Sequence, residues 1–228
     1  MIFSYNTTDF GRNRTDYCSP LEYLISSQYV IRGPYRGHVI RESAERVETT
    51  RLILASLLSF PYVYSVNVPV PGRVRELAAD LYPALLEFDT VREDHSLLLK
   101  RLGSADHVTQ LQHRTHRALE GSPAVEARVT GIEYFEDPPL GSAPVVYLAV
   151  ESPGLRSIHK RLLEDFDAVS GLEGPDYVPH ITLARGGDLA TAERIATREV
   201  EPITWTVTGL EFFDGSYKLP VSRISLPS

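Results

Sequence analysis

The sequence has almost none of the residues that form disulfides and thiolate metal sites. Among its 228 residues there is one cysteine, Cys18, so an intrachain disulfide, a CxxC pair and a thiolate-rich zinc site are all excluded. The start lacks a charged segment followed by a long apolar one, and the longest apolar run, residues 52–60, is too short to cross a bilayer. We therefore expect a cytoplasmic protein without membrane association.

Lysine is also scarce, and acidic groups outnumber basic ones. The chain carries 23 basic and 30 acidic residues, for a net charge of -7. Affinity for long nucleic acids grows with the number of phosphates that a protein neutralises. An acidic chain should therefore bind an RNA end or a small nucleotide, not a long duplex. Nothing in the sequence indicates an obligate protein partner, and we expect a monomer.

The chain divides near residue 62. Residues 1–62 contain no recognisable motif, although a helix is predicted over residues 41–58. We treat them as an N-terminal extension of unknown role. Met1 is the only methionine, so a second hypothesis is that the natural protein starts at a non-ATG codon near Val63. Finding peptides from residues 12–46 in the native protein would contradict that hypothesis.

Residues 63–228 have regular periodicity. Their order of elements is strand, helix, strand, helix, strand, and then the same again, which is a weak internal repeat. This order predicts an α+β fold of two pseudo-symmetric lobes, each a small, mainly antiparallel sheet with outer helices, and an active cleft between them. Strands are predicted at 64–70, 95–102, 127–135, 145–151, 177–185, 203–213 and 223–226, and helices at 73–87, 104–120, 153–168 and 189–198.

A histidine and a hydroxyl share one face of the strand predicted over residues 177–185. Because side chains alternate along a strand, His180 and Thr182 point one way while Ile181 and Leu183 point the other. Such a pair can hold a phosphate oxygen and move a proton at the same site. Taken alone, the segment fits a half-buried structural strand equally well.

A second histidine opens the hydrophobic strand predicted over residues 95–102. His95 follows Glu93 and Asp94, a setting that is typical of a solvated surface residue. The internal repeat nevertheless predicts that His95 and His180 occupy equivalent positions, 85 residues apart, one in each lobe.

Together, the two segments resemble the two-histidine (2H) phosphoesterase superfamily, in particular the archaeal and bacterial LigT-like RNA 2',3'-cyclic phosphodiesterases, also called 2'-5' RNA ligases. Members carry one His-x-Thr/Ser motif in each lobe. His180-Ile181-Thr182, followed by Arg185, is similar to the second motif, and Leu102-Gly103 is similar to the pair into which the first motif often runs. The resemblance covers residues 63–228.

The first segment departs from the family pattern. Leu97 lies where the family has a hydroxyl, and Ser96 comes one position early. The stretch from His95 to the Leu-Gly pair is also one residue longer than the usual spacing. A β-bulge accommodates one extra residue and redirects side chains. Ser96 would then reach the phosphate; alternatively, the first lobe uses Lys100 or Arg101 instead.

The resemblance implies hydrolysis of 2',3'-cyclic phosphates on RNA ends or nucleotides to 2'-phosphates, with some 2'-5' RNA ligase activity. One imidazole takes a proton from water while an imidazolium gives one to the leaving oxygen. The resemblance makes His95 the acid and His180 the base, but the sequence itself leaves these roles open. No metal or cofactor is implied. The residues expected to bind phosphate are Thr182, Ser96, Arg185 and Lys100.

Two other functions fit the same residues. One is a 2H phosphodiesterase acting on a small cyclic nucleotide or an ADP-ribose cyclic phosphate. The other is a non-catalytic module that binds RNA ends, which the irregular first motif favours. His113 and His116 are spaced for a metal but lack further ligands, and Phe212 or Tyr177 could stack on a base.

Overall fold

The computed structural model describes residues 63–227, and the helix predicted over residues 41–58 lies outside them. The described part contains nine strands, four α-helices and a short 3₁₀ helix, Gly174–Asp176. The strands are β1 (Tyr64–Pro69), β2 (Thr90–Val91), β3 (Ser96–Gly103), β4 (Val125–Phe135), β5 (Val145–Glu151), β6 (His180–Arg185), β7 (Ile203–Val207), β8 (Gly209–Asp214) and β9 (Leu219–Ser225). The helices are α1 (Gly72–Leu85), α2 (Val108–Leu119), α3 (Pro153–Leu162) and α4 (Leu189–Ala196).

The strands form two antiparallel sheets. Sheet one has the order β3-β1-β8-β9, and sheet two has the order β2-β6-β5-β4-β7. β3 and β6, which carry the two histidine segments, lie close to each other where the sheets meet. The predicted α+β fold of two antiparallel lobes is therefore confirmed.

The helices bury one face each against these sheets. In α1 the buried positions are Val74, Ala78, Leu81 and Leu85, which repeat every three or four residues as an amphipathic helix requires. α3 begins as the sequence predicts, because the Ser152 hydroxyl accepts a hydrogen bond of 3.1 Å from the backbone N–H of Leu155. No helix of the described part is long and apolar enough to cross a membrane.

The strand predicted over residues 203–213 is two strands in different sheets. The buried side chains follow odd numbers up to Val207 and even numbers from Leu210 onward. A one-residue change of phase turns a strand's apolar side to the opposite face. β7 therefore ends sheet two, and after Thr208 the chain enters sheet one as β8. The two-residue strand β2, which was not predicted, pairs with the edge of β6.

Candidate active site

β6 presents His180 and Thr182 on one face. His180 is the first residue of the strand and pairs with Ala149 of β5. Ile181 and Leu183 are fully buried in the core. The half-buried His180 and Thr182 therefore point to the other side of sheet two, as the alternation in the sequence predicts.

The hydrogen bond of His180 defines its tautomer. Its Nδ1 lies 2.7 Å from the backbone carbonyl oxygen of Val178. A carbonyl oxygen only accepts hydrogen bonds, so Nδ1 carries the proton. The neutral ring therefore presents Nε2 as an acceptor, which is the state that a general base needs.

Two aromatic rings hold the imidazole of His180. The ring centroid of Phe135 lies 5.2 Å from that of His180 in an edge-on arrangement, and the centroid of Tyr147 lies at 5.1 Å. The Tyr147 hydroxyl donates a 3.0 Å hydrogen bond to Glu133. Sequence reasoning missed these residues. The available signal was Tyr147, the one aromatic residue of β5, which lies two positions from the partner of His180.

The electrostatic surroundings favour the neutral imidazole. Burial lowers the pKa of His180, and the nearby guanidinium groups of Arg185 and Arg101 lower it further, against the opposing effect of the hydrogen bond to Val178. Burial and the charges of Arg92 and Arg101 likewise lower the pKa of Arg185. Arg92 and Arg101 thus both lie close enough to act on Arg185, which makes this part of an acidic chain locally positive.

Ser96 is the first residue of β3 and is held by a short polar chain. Its Oγ accepts a hydrogen bond of 3.4 Å from Asn67 Nδ2. The side-chain oxygen of Asn67 in turn accepts a 3.0 Å hydrogen bond from Ser65. Farther along, the Tyr177 hydroxyl reaches across from the segment before β6 and donates to the backbone oxygen of Leu98 at 3.2 Å.

His95 lies one residue before β3 and is half-buried. Burial lowers its pKa, while a hydrogen bond with the backbone of Glu93 and the charge of Asp94 oppose that effect. The catalytic role assigned to His95 from the sequence stays a prediction.

Lys100 is fully buried in the interior. Its ammonium donates to Glu173 at 2.7 Å and to the backbone oxygens of Asp167, at 2.9 Å, and Arg101. An ammonium has three N–H donors, so these partners leave none for a phosphate. This placement removes Lys100 from the phosphate role that the sequence suggested, and Arg101 lies near His180 instead.

The two aromatic residues considered for base stacking are internal. Tyr177 is buried with its ring stacked on His159 at 4.0 Å, and Phe212 is fully buried against Tyr64. Neither ring is free to stack on a substrate. Among residues 63–227, no three side chains of the metal-binding types come together as a possible site.

Two antiparallel sheets that meet at β3 and β6, with a His-x-Thr strand at that junction, correspond to the two-lobed fold of the 2H phosphoesterases. The family model for the 2'-5' RNA ligase superfamily matches residues 98–216, and the chain belongs to that superfamily. The matched span includes His180 and begins two residues after Ser96.

Solved structures share this fold. LigT of E. coli, solved in complex with 3'-AMP, is 18% identical with a TM-score of 0.55, over 74% of this chain and 99% of LigT. The LigT structure with NADP+ has 19% identity and a TM-score of 0.54, over 75% of this chain and 100% of LigT. The protein TT0787 of Thermus thermophilus has 19% identity and a TM-score of 0.53, over 72% of this chain and 97% of that protein.

At these identities the likeness concerns the fold alone. A comparison with curated protein sequences finds no match.

Proposed function

We propose that this protein opens 2',3'-cyclic phosphates on RNA ends or nucleotides to give 2'-phosphates, without a metal ion. The observation that carries the proposal is the setting of His180. Its neutral ring offers Nε2 as an acceptor, the Thr182 hydroxyl shares its face, and the guanidinium groups of Arg101 and Arg185 lie nearby.

In the proposed reaction, His180 takes the proton of the water that attacks phosphorus. The negative charge that develops on the phosphoryl oxygens is stabilised by the Thr182 hydroxyl and by the guanidinium group of Arg185. Preorganised donors of this kind contribute most when water is excluded from them. The phenolic oxygen of Tyr147 is tied to Glu133, and its ring restricts the motion of the imidazole.

The charge distribution favours a short substrate. The whole chain has a net charge of -7, while Arg101 and Arg185 lie near His180 and Arg92 lies near Arg185. A long RNA would be repelled beyond the site, whereas a terminal cyclic phosphate meets the local positive charge. LigT has been solved with 3'-AMP and with NADP+, which supports nucleotide-sized ligands for this site as well.

The test is hydrolysis of a short RNA that ends in a 2',3'-cyclic phosphate, in the presence of EDTA. We expect turnover by the wild type, a fall of about 10²–10⁴-fold for His180→Ala and a fall of about 10²-fold for Thr182→Val. His113→Ala, which removes an exposed histidine of α2, is the matched control and should leave the rate unchanged.

Three results would contradict the proposal. They are full activity of His180→Ala, loss of wild-type activity in EDTA, and the absence of turnover with any cyclic phosphate. His95→Ala belongs in the same series, because its rate tests the sequence-based prediction that His95 supplies a second imidazole.

A second candidate function is a module that binds RNA ends without cleaving them. The observation that favours it is that β3 opens with Ser96, which is not an acid or a base near neutral pH. Saturable binding of the cyclic-phosphate RNA without any product would support this alternative.

A further inference from the structure

β3 and β6 share the same irregularity, which provides an internal alignment of the two lobes. In the pairing of β3 with β1, Leu99 has no partner, and in the pairing of β6 with β5, Leu183 has none. β3 has a second unpaired residue, Leu102, which lies beyond the part of β3 that corresponds to β6. Leu99 and Leu183 are 84 positions apart. Over Ser96–Arg101 and His180–Arg185, the alternation of buried and half-buried residues is also identical.

Two further features agree with this offset. Arg101 and Arg185 are each the sixth residue of their strand and are both half-buried. The charges of both lower the pKa of His180. Two residues later, Gly103 and Gly187 have φ angles of +82° and +86°, a region that side chains rarely adopt. The bulge, the burial pattern, the arginines and the glycines therefore all align residue n of β3 with residue n + 84 of β6.

We infer that Ser96 stands in the first lobe where His180 stands in the second, so that the cleft presents one imidazole and, on the opposite strand, a hydroxyl. The same alignment makes Leu98 of β3 the counterpart of Thr182 of β6. This inference rests on the proposed function and specifies which groups each lobe contributes to it.

The alignment gives His95 a different counterpart. His95 corresponds to Pro179, which precedes β6 and is buried. The sequence predicts an 85-residue offset and a bulge that absorbs the extra residue. Up to Arg101 and Arg185 the structure has one bulge in each strand, at the same place, and this shared bulge cannot compensate for a residue that only one segment contains. The second bulge of β3, at Leu102, lies after Arg101 and therefore leaves the alignment of Ser96 with His180 unchanged. His95 consequently lies one position before the strand residue that matches His180.

The hydroxyl of Ser96 is held by Asn67. Its Oγ accepts from Asn67, which leaves the Ser96 O–H free to donate to a phosphoryl oxygen. Asn67 is therefore a positioning residue. A serine hydroxyl does not exchange a proton readily near neutral pH, so proton transfer depends on His180 alone.

The step balances with water as the only co-reactant. A water oxygen forms a bond to phosphorus, and His180 Nε2 takes its proton. The bond from phosphorus to the ribose 3' oxygen breaks, and that oxygen takes a proton from solvent water. The imidazolium then returns its proton to the resulting hydroxide. Such a reaction depends on one ionisation, so the rate should rise with pH and reach a plateau.

The charged and titratable groups around His180 are Arg185 on its own strand, Arg101 on β3, Tyr147 on β5 and Glu133 on β4, the partner of Tyr147. The arginines remain charged and Tyr147 has a raised pKa, so His180 is the group expected to titrate between about pH 5 and 8.

The experiment restores an imidazole to the first lobe. We expect Ser96→His to turn over cyclic-phosphate RNA at least about tenfold faster than the wild type, because a positioned acid contributes about 10²–10⁴-fold. Its pH profile should become bell-shaped. Ser104→His, which adds a histidine at an exposed position just after β3, is the matched control and should do neither. Thermal unfolding of both variants confirms that they fold.

A second variant tests the inference if the histidine side chain of Ser96→His does not fit into the folded protein. Ser96→Ala should lower the rate about 10²-fold without moving the midpoint of the pH profile, since it removes a donor and not a titrating group. An unchanged rate in Ser96→Ala would overturn the inference. So would a bell-shaped wild-type profile that loses one limb in His95→Ala, although the proposed function would then stand.

The proposed function can also fail separately. If the wild type binds the RNA without turnover and Ser96→His creates turnover, the proposed function is wrong for this chain and the inference holds. If neither protein turns over the substrate, both are wrong.

Discussion

His180 lies in an environment that keeps its imidazole neutral. Burial and the charges of Arg185 and Arg101 all lower its pKa from the usual value of about 6.5. The neutral ring, which is the active base, therefore predominates at about pH 7 and above. As the pH falls through the lowered pKa, the imidazolium forms and the base is lost.

Replacing Arg185 by glutamine tests this account. Removing a positive charge favours the imidazolium, so the pKa of His180 should rise in Arg185→Gln, as measured by NMR titration of the ring. Turnover should also fall by about 10–100-fold, which corresponds to the loss of a charge-assisted hydrogen bond. The control is Arg198→Gln, an exposed position after α4. An unchanged titration of His180 would mean that solvent screens the arginine.

Between elements, a buried ion pair joins β3 to the segment that leads into β6. Glu173 accepts hydrogen bonds from Lys100 at 2.7 Å and from the backbone N–H groups of Arg101, at 2.8 Å, and Val169, at 3.0 Å. Both side chains of the pair are fully buried. β3 is thus connected to the segment before β6 through a buried carboxylate that belongs to neither strand.

Removing only one partner of this pair should destabilise the folded protein. Glu173→Ala leaves the Lys100 ammonium buried without its counter-ion, and we expect the free energy of unfolding to fall by about 3–5 kcal/mol. Urea denaturation followed by Trp205 fluorescence measures it. The double variant Lys100→Met/Glu173→Leu replaces the pair by apolar groups and should be more stable than Glu173→Ala. A double variant that is as unstable as the sum of its single changes would contradict this view.

The sequence predicts strands well where apolar residues alternate. This is why the α+β class and the face shared by His180 and Thr182 could be read directly. It does not show which residue begins a strand when the apolar run is continuous, as from Leu97 to Leu99. Only the backbone pairing therefore shows that Ser96, and not the preceding residue His95, is the counterpart of His180. Contacts distant in sequence, such as that of Lys100 with Glu173, left no local signal.

At the scale of the whole molecule, each sheet takes strands from both halves of the chain. β2, from the first half, pairs with β6 of sheet two. β8 and β9, from the second half, complete sheet one beside β1 and β3. The chain passes from one sheet to the other across the single residue Thr208. Neither lobe has all of its strands within one continuous half of the sequence.

We therefore expect the two sheets to unfold together. Trp205 is the only tryptophan and lies in β7 of sheet two. In a Trp205→Phe background, Tyr64→Trp moves the fluorescent probe to β1 of sheet one. Urea denaturation should give the same midpoint with both probes, after correction for any change in stability measured by circular dichroism. Two separate midpoints would show that the lobes unfold independently.

The single-residue passage at Thr208 also imposes an order on synthesis. All five strands of sheet two lie within residues 90–207, whereas two strands of sheet one, β8 and β9, lie within residues 209–225. As the chain leaves the ribosome, domains and their parts fold in the order in which they emerge. The strand bearing His180 can thus be in place while the sheet that contains Ser96 still lacks two of its four strands, β8 and β9, so the complete pair of sheets exists only after residues 209–225 have emerged.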